Sequence, residues 1–553
     1  MYVVQRRSEV RALWGVFFSL VMSCGAAEGA WPHRADSLWI LHTNDIHARL
    51  LPFEESGGDS FGGAAARGAL IAKLRGGRES KTLVLDAGDV FQGTAFYNFF
   101  RGVPDYRTMS LMHYDAGALG NHELDDGPAA WLRTHAQANF PILSANVFVS
   151  ADSAWASGLD PVPAAIRRGA RWIGGVRVPD ATRLRYITTP YVIRQISGVK
   201  VGILGLTTDD IVVIVNRAAN GGVAVADPIA VAGVLVPEIR AKADLVVALT
   251  HLGVDADRAL AARVPGIDVI VGGHSHTFLA KPVFIANERN RNRYAGTAVT
   301  QAGRWGSRVG RMGIAVGPDG VLGVTDALVP VRPRDGEDPG IAEVVRPYAD
   351  SMAVIVNQPV FQNGARIGTS GMEQEDTALG NFVADVMAKT ARADVAIVNS
   401  GGIRAPIPAG MVTIGDIYNV LPFDNTIVAV PMKGWQLREL LDFVASRIGK
   451  RGFAQVSGVT FVVRSDRAAE IHVGSEILDS DRTYRVATIS FLYGGGDGFT
   501  QFAKAGPAED TGIFTRDAAV RFLKENPRYE FKKRGRIRWE GAMPIRDMMR
   551  SPR

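Results

Sequence analysis

Six short apolar runs, each breaking off at once into a polar cluster, set the limits on what this chain can fold into. Leu38-Trp39-Ile40-Leu41, Thr82 to Leu85, Gly117-Ala118-Leu119, Val199 to Leu204, Leu245 to Leu249 and Val269-Ile270-Val271 read as buried strands. Helical stretches alternate with them, the rhythm of an α/β fold. In such folds ligands gather beyond the carboxyl ends of the strands, so the residues that follow each run are the place to look for chemistry.

At 553 residues the chain has room for two or more domains, each with its own core. A content of 47% hydrophobic and 21% charged residues is that of a globular protein. The net charge of +6, from 62 basic and 56 acidic residues, is mild. It permits an anionic substrate and argues against nucleic acid as partner, which would need basic residues massed on one face. Arg6, Arg7 and Arg11 precede the apolar run Leu13 to Met22 and a set of small residues, so residues 1–30 read as a secretory signal too short to span a membrane. Cys24 is the only cysteine, which excludes a structural disulfide and a four-cysteine zinc site. It stands in Val-Met-Ser-Cys-Gly, an imperfect lipoprotein box, and is either lipidated or cut away. The expectation is an exported protein, periplasmic or at the cell surface, anchored through Cys24 if through anything, with no transmembrane span once mature.

Residues 151–186 interrupt the α/β rhythm with Gly, Pro, Arg and two tryptophans and read as a surface excursion. Around Pro330 to Pro339 the composition turns to proline and charge, marking a linker, with a helix from about Ile341 to Val356. These breaks divide the chain into a first domain at 36–330, a linker and helix at 331–357, a second α/β domain at 358–531 and a solvated basic tail at 532–553.

Five strand ends of the first domain carry metal-type ligands: Asp45-Ile46-His47, Asp86-Ala87-Gly88-Asp89, Asn121-His122, His251, and His274-Ser275-His276. Singly, each is commoner as a turn or a hydrogen-bonded structural residue. Together they hold five of the ten histidines, and packing alone does not gather them. In Asp-x-His and His-x-His, residues two apart on an extended segment point the same way and can chelate one ion. A mixed His, Asp and Asn set with a carboxylate to share suits two divalent ions, zinc, manganese or iron, about 3.5 to 4 Å apart, an arrangement that handles phosphoryl oxygens. Gly120 permits the tight backbone before Asn121, and His122, held by Asp125 three residues on, can serve as acid or electrostatic clamp.

In this order the motifs resemble those of the calcineurin-like metallophosphoesterases. Leu41 to His47 and Gly120 to Asp125 are similar to the 5'-nucleotidases among them, and the resemblance continues through Leu379-Gly380-Asn381, Asn399 to Arg404, Leu421-Pro422-Phe423 and Gly495 to Phe499. It implies a four-layer αββα metallophosphoesterase domain followed by an α/β substrate-specificity domain. It implies one ion on Asp45, His47, Asp89 and His276, and a second on Asp89, Asn121, His251 and His274, with Asp89 bridging. His122 would be the catalytic histidine and Asp125 its orienting partner. Phe423 and Phe491 match the family's two base-stacking aromatics, Asp497 its nucleoside-side carboxylate, and Asn399 and Arg404 are placed for base, ribose or phosphate.

One stretch departs from the family's pattern. Relatives that take nucleoside monophosphates carry an arginine ahead of Leu-Gly-Asn; here Met372-Glu373-Gln374-Glu375-Asp376-Thr377-Ala378 has none, and acidic side chains repel an anion. The expected activity is therefore release of phosphate from a small nucleotide. The alternatives on the same site are a 2',3'-cyclic-nucleotide phosphodiesterase, a UDP-sugar hydrolase and a sulfur-ester hydrolase. A non-catalytic nucleotide-binding protein would show a damaged ligand set, and none of the seven ligand positions is damaged.

Overall fold

The apolar runs assemble two sheets. In the computed structural model, β1 (Ser37–Thr43), β2 (Thr82–Asp86) and β3 (Ala116–Ala118) lie parallel, with Ile142–Leu143 parallel beyond β3. Arg308–Gly317, paired antiparallel to β1, and Gly320–Thr325 extend this sheet on the other side. The second sheet is built on Val199–Thr207, β4 (Leu245–His251), β5 (Val269–Gly272) and Gly296–Thr300, all parallel, with antiparallel strands at both edges. The structure describes residues 37–540 except 55–58, 174, 176, 216–218, 291–294, 318–319 and 451. The signal segment with Cys24, and the tail from 541, lie outside the described residues.

The side-chain alternation of the strands makes the layers. Leu38, Ile40, Leu83 and Leu85 of the first sheet meet Ile203, Leu245, Val247 and Val271 of the second in one shared core. Leu41 and Val84 point the other way, under the helices Ala64–Arg75, Val103–Leu111 and Pro339–Val356. On the far side Val246, Ala248 and Ile270 are covered by Pro228–Arg240 and Val254–Arg263. The order is helix, sheet, sheet, helix. Each of these buried Leu, Ile and Val side chains stabilises the fold by about 1.5–3 kcal/mol, so the packing between layers fixes where the strand ends lie. No helix among the described residues is long and apolar enough to cross a membrane.

The C-terminal half has its own core around a five-strand sheet ordered Ala454–Ser457, Val395–Asn399, Thr483–Ile489, Thr426–Lys433, Glu509–Phe514. The helix Pro339–Val356, capped by Asp338, does not stand free as a spacer. Its Ile341, Val345 and Met352 belong to the core of the first half.

Two expectations need correction. Residues 151–186 are more than a surface excursion: Arg171–Trp172 and Leu184–Tyr186 join Val147–Ser150 and Val223–Val225 in a four-strand sheet, and Val162, Ile166 and Val178 are buried beneath it. Their apolar residues have no regular period, so no pattern announced them. The basic tail is not wholly solvated, because Ile537–Trp539 pairs in parallel with Val459–Arg464. Arg536 anchors that strand, donating to Asp385 at 2.6 Å.

Asp105 is buried in the helix Val103–Leu111 and neither of its carboxylate oxygens has a hydrogen-bond partner. Burial pushes its pKa up to about 7 against the pull of Arg67. The folded protein keeps this proton to about pH 7 while the unfolded chain releases it near 3.8, so stability falls as the pH rises through that window. Asp105→Asn should flatten that part of the fall, measured as Tm across pH 4 to 8; a slope equal to the wild type's contradicts the assignment.

Candidate metal centre

The strands stop just short of the ligands. β1 ends at Thr43, and the chain then turns through Asp45 at φ 51° and His47 at φ 53°. Asp89, His274 and His276 also have positive φ, so five of the seven expected ligands stand in a conformation that non-glycine residues seldom adopt. The extended-face reading of Asp-x-His and His-x-His is therefore corrected: both pairs sit on left-handed turns after their strands have ended. Backbone bonds across the site hold these turns, Asp45 N to Gly88 O at 2.9 Å and His47 N to Asp89 O at 3.0 Å. The His274 N–H donates to the Asp45 carboxylate at 3.0 Å.

Seven side chains converge. His47 Nε2 lies 3.0 Å from His276 Nε2, which is 3.3 Å from Asp45 Oδ1. Next to them His251 Nε2 is 3.1 Å from Asp89 Oδ2 and 3.3 Å from His274 Nδ1, which is 2.9 Å from Asn121 Oδ1. Three overlapping groups result among the described residues, Asp45, His47 and His276; His47, Asp89 and His122; and Asp89, His251 and His274, each with its ligand atoms within 4.8 Å of one another.

The surroundings show what these atoms are arranged for. His47 and His251 each point Nδ1 at a backbone carbonyl, Phe91 O at 3.1 Å and Ala87 O at 2.7 Å, so Nδ1 carries the proton and Nε2 faces the cluster. Burial, then the neighbouring His276, holds His47 well below the usual histidine range and leaves its Nε2 a bare lone pair. Burial opposes ionisation of Asp89, but His251 and His122 outweigh it and keep the carboxylate charged. Burial opposes protonation of His251, but Asp89 outweighs it and raises the pKa to about 10, so this imidazolium supplies positive charge among the lone pairs and carboxylates. The donor set fits divalent metal ions.

Two features that sequence reasoning missed hold the cluster in place. Asn44 donates to Asp45 Oδ2 at 2.6 Å and accepts from Ala302 N at 2.8 Å, fixing the carboxylate. Glu123 is buried and takes four backbone N–H bonds, from Asp89 at 3.2 Å, Val90 at 2.8 Å, Phe91 at 3.3 Å and Gly120 at 2.8 Å. The loops bearing Asp89 and Asn121 are thus tied to one carboxylate. Gly120 is required here for space rather than for an unusual φ: a Cβ would lie 2.3 Å from both the Asp89 nitrogen and its Oδ1.

His122 stands beside the cluster, its Nδ1 2.7 Å from Asp125 Oδ2 and its Nε2 3.9 Å from Asp89 Oδ2. Burial pulls its pKa down, but Asp125 and Asp89 outweigh burial and raise it, so the ring favours the protonated form. The facing wall of the groove is C-terminal. Phe423 stacks on His122 with ring centroids 5.7 Å apart, and the Arg404 guanidinium is 5.9 Å from Phe423. Asn399 donates to Asp497 at 2.6 Å, and both line the groove with Phe491. Asn98 bonds Pro422 O at 2.6 Å and Arg101 bonds Asp424 at 2.6 Å, joining the two halves on either side of Phe423. Of the acidic stretch only Glu373 faces the groove: Glu375 pairs with Lys533 at 2.6 Å, and Asp376 accepts from Asn381 at 3.0 Å.

The comparisons with known proteins agree with this geometry. Residues 38–278 match the family model of the calcineurin-like phosphoesterases and residues 356–504 that of the 5'-nucleotidase C-terminal domain. Snake venom 5'-nucleotidase from Crotalus adamanteus is 30% identical, over 89% of this chain and 85% of that protein. The trifunctional nucleotide phosphoesterase protein YfkN of Bacillus subtilis is 32% identical over 91% of this chain, which spans only 35% of its length. The solved structure of a 5'-nucleotidase precursor from Thermus thermophilus superposes with a TM-score of 0.80 at 32% identity, over 92% of this chain and all of that one.

Replacing the Glu123 carboxylate turns an acceptor of four N–H groups into an amide that offers donors to donors. Glu123→Gln should weaken metal binding about 10- to 100-fold in a chelator-competition titration, although Glu123 touches no ligand atom. Unchanged affinity would contradict the role given to it.

Proposed function

The chain belongs to the 5'-nucleotidase family of calcineurin-like phosphoesterases, and from that premise we propose that it is an exported enzyme releasing phosphate from nucleotides. The observation that carries the reading is the convergence of Asp45, His47, Asp89, Asn121, His251, His274 and His276 beside His122, facing a wall that bears Phe423, Phe491 and Arg404. Asp45, His47, Asp89 and His276 would hold one divalent ion and Asp89, Asn121, His251 and His274 another; zinc, manganese and iron all suit these donors. Such ions, when bound, neutralise phosphoryl charge and lower the pKa of water toward neutrality.

The chain's own residues then act on the substrate. With Nδ1–H donated to Asp125, the protonated His122 offers Nε2–H to a phosphoryl oxygen and stabilises the charge that grows there in the transition state. Arg404 meets the same group from the C-terminal wall, and the ring of Phe423 shields the His122 face from water. Phe491, Asn399 and Asp497 line the part of the groove that would take the nucleoside, by ring contact and by hydrogen bonds. We place the catalytic domain at 36–330 and the substrate-binding domain at 358–531, and read the N-terminal segment as an export signal with Cys24 a candidate lipid anchor. Glu373 on the groove wall favours a second reading, a monoanionic diester in place of the dianionic monophosphate.

Hydrolysis of AMP, UMP, 2',3'-cyclic AMP, UDP-glucose and bis-p-nitrophenyl phosphate, read as inorganic phosphate from the monophosphates and as released nucleotide, sugar phosphate or p-nitrophenol from the others, separates the two. The monophosphates should turn over fastest, and His122→Ala should lower kcat about 10²- to 10⁴-fold with metal content unchanged. Turnover confined to the diesters would replace this reading with the second.

A further inference from the structure

The end of the groove nearest His47 and His276 is cationic. Arg49 and Arg304 line it, both resting against Trp305. The Arg49 guanidinium is 4.5 Å from the Trp305 ring and 5.1 Å from that of Phe53, and Arg304 is 4.1 Å from Trp305. Phe53 and Trp305 pack edge to face at 5.5 Å, so the guanidinium rests on an aromatic platform. The platform is held under strain. Trp305 has φ 63°, a region that bulky residues avoid, and its N–H donates at 2.6 Å to the carbonyl of Asp45. That bond fixes the tryptophan, and with it Arg49, relative to a metal ligand.

Arg49 also lacks an anion. Its Nε is buried without an acceptor, and no carboxylate among the described residues pairs with it. A half-buried guanidinium whose Nε has no acceptor is costly unless it is paired, and the group it shares a cavity with is the one expected to bind a phosphoryl anion. Across the same cavity Glu373 brings negative charge where a cation would serve.

We propose that Arg49, mounted on Trp305, is a phosphate-binding residue that donates to the oxygens of the substrate's phosphoryl group from the wall opposite Arg404, supplying the charge that residues 372–378 lack. The planar guanidinium fork matches phosphoryl oxygens, and its desolvation strengthens each bond. The inference rests on the phosphoester-hydrolase reading and adds a residue from the first half to the substrate contacts.

The test uses the metal-loaded full chain with inorganic phosphate and adenosine as inhibitors, and calorimetric titration of phosphate, in the wild type, Arg49→Met and Arg49→Lys. Methionine keeps an apolar stem over Trp305. The phosphate inhibition constant should rise about 10- to 100-fold in Arg49→Met, as for loss of a charge-assisted bond, with adenosine within twofold and Arg49→Lys between. Phosphate inhibition within twofold of wild type overturns the proposal, as does an equal loss of phosphate and adenosine binding, which marks a structural role. If Arg49→Met does not fold, Trp305→Leu, which removes the platform, should weaken phosphate about threefold and leave adenosine alone; no change overturns the proposal. If the wild type hydrolyses no phosphoester, the functional reading fails, and the calorimetric comparison still decides on Arg49.

Discussion

Four backbone N–H groups pointing at the Glu123 carboxylate are the constraint on which the site depends. They come from two loops that follow different strands, β2 and β3, and one side chain binds both. Asp89 lies on one loop and Asn121 and His122 on the other, so the geometry between Asp89, proposed to be shared by two ions, and His122, proposed to donate to the phosphoryl group, is set by a residue with neither of those roles. Burial, together with the charge of Asp89, raises the Glu123 pKa to about 7, opposed by His251 and by the bond from Val90 N–H. The sheets bring the strand ends near one another; Glu123 decides how the loops beyond them lie.

The same division, between layers that place and loops that aim, separates what was legible in the sequence from what was not. The strands β1 to β5 were plain because a strand buried on both faces must be apolar throughout, and each polar break after them carried a residue of the converging cluster. Glu123 was visible as part of Gly-Asn-His-Glu, yet its role was not, since a carboxylate that binds main-chain groups has no partner residue to look for. The left-handed turns at Asp45, His47, His274 and His276 were also hidden, because spacing reports neighbours but not φ. Arg49 is two residues from His47 and reads as a surface arginine until Trp305, some 250 residues away, is seen beneath it. The strand Ile537–Trp539 escaped notice in a basic segment, its pairing supplied by Val459–Arg464 far upstream.

The groove between the halves has a division of labour. The first half brings the metal-type ligands and His122, and the C-terminal half brings the aromatic and polar wall. Contacts between Arg101 and Asp424, and between Phe423 and His122, hold the two walls at their present separation. Arg49 of the first half and Arg404 of the C-terminal half both line the cavity that Glu373 lines.

We propose that the convergent side chains form a centre for two ions with Asp89 common to both. Anomalous scattering from crystals grown with manganese tests this directly. Two peaks are expected, one among Asp45, His47 and His276 and one among Asn121, His251 and His274, each also within bonding distance of Asp89. A single peak, or manganese bound elsewhere with these histidines left unliganded, would contradict it.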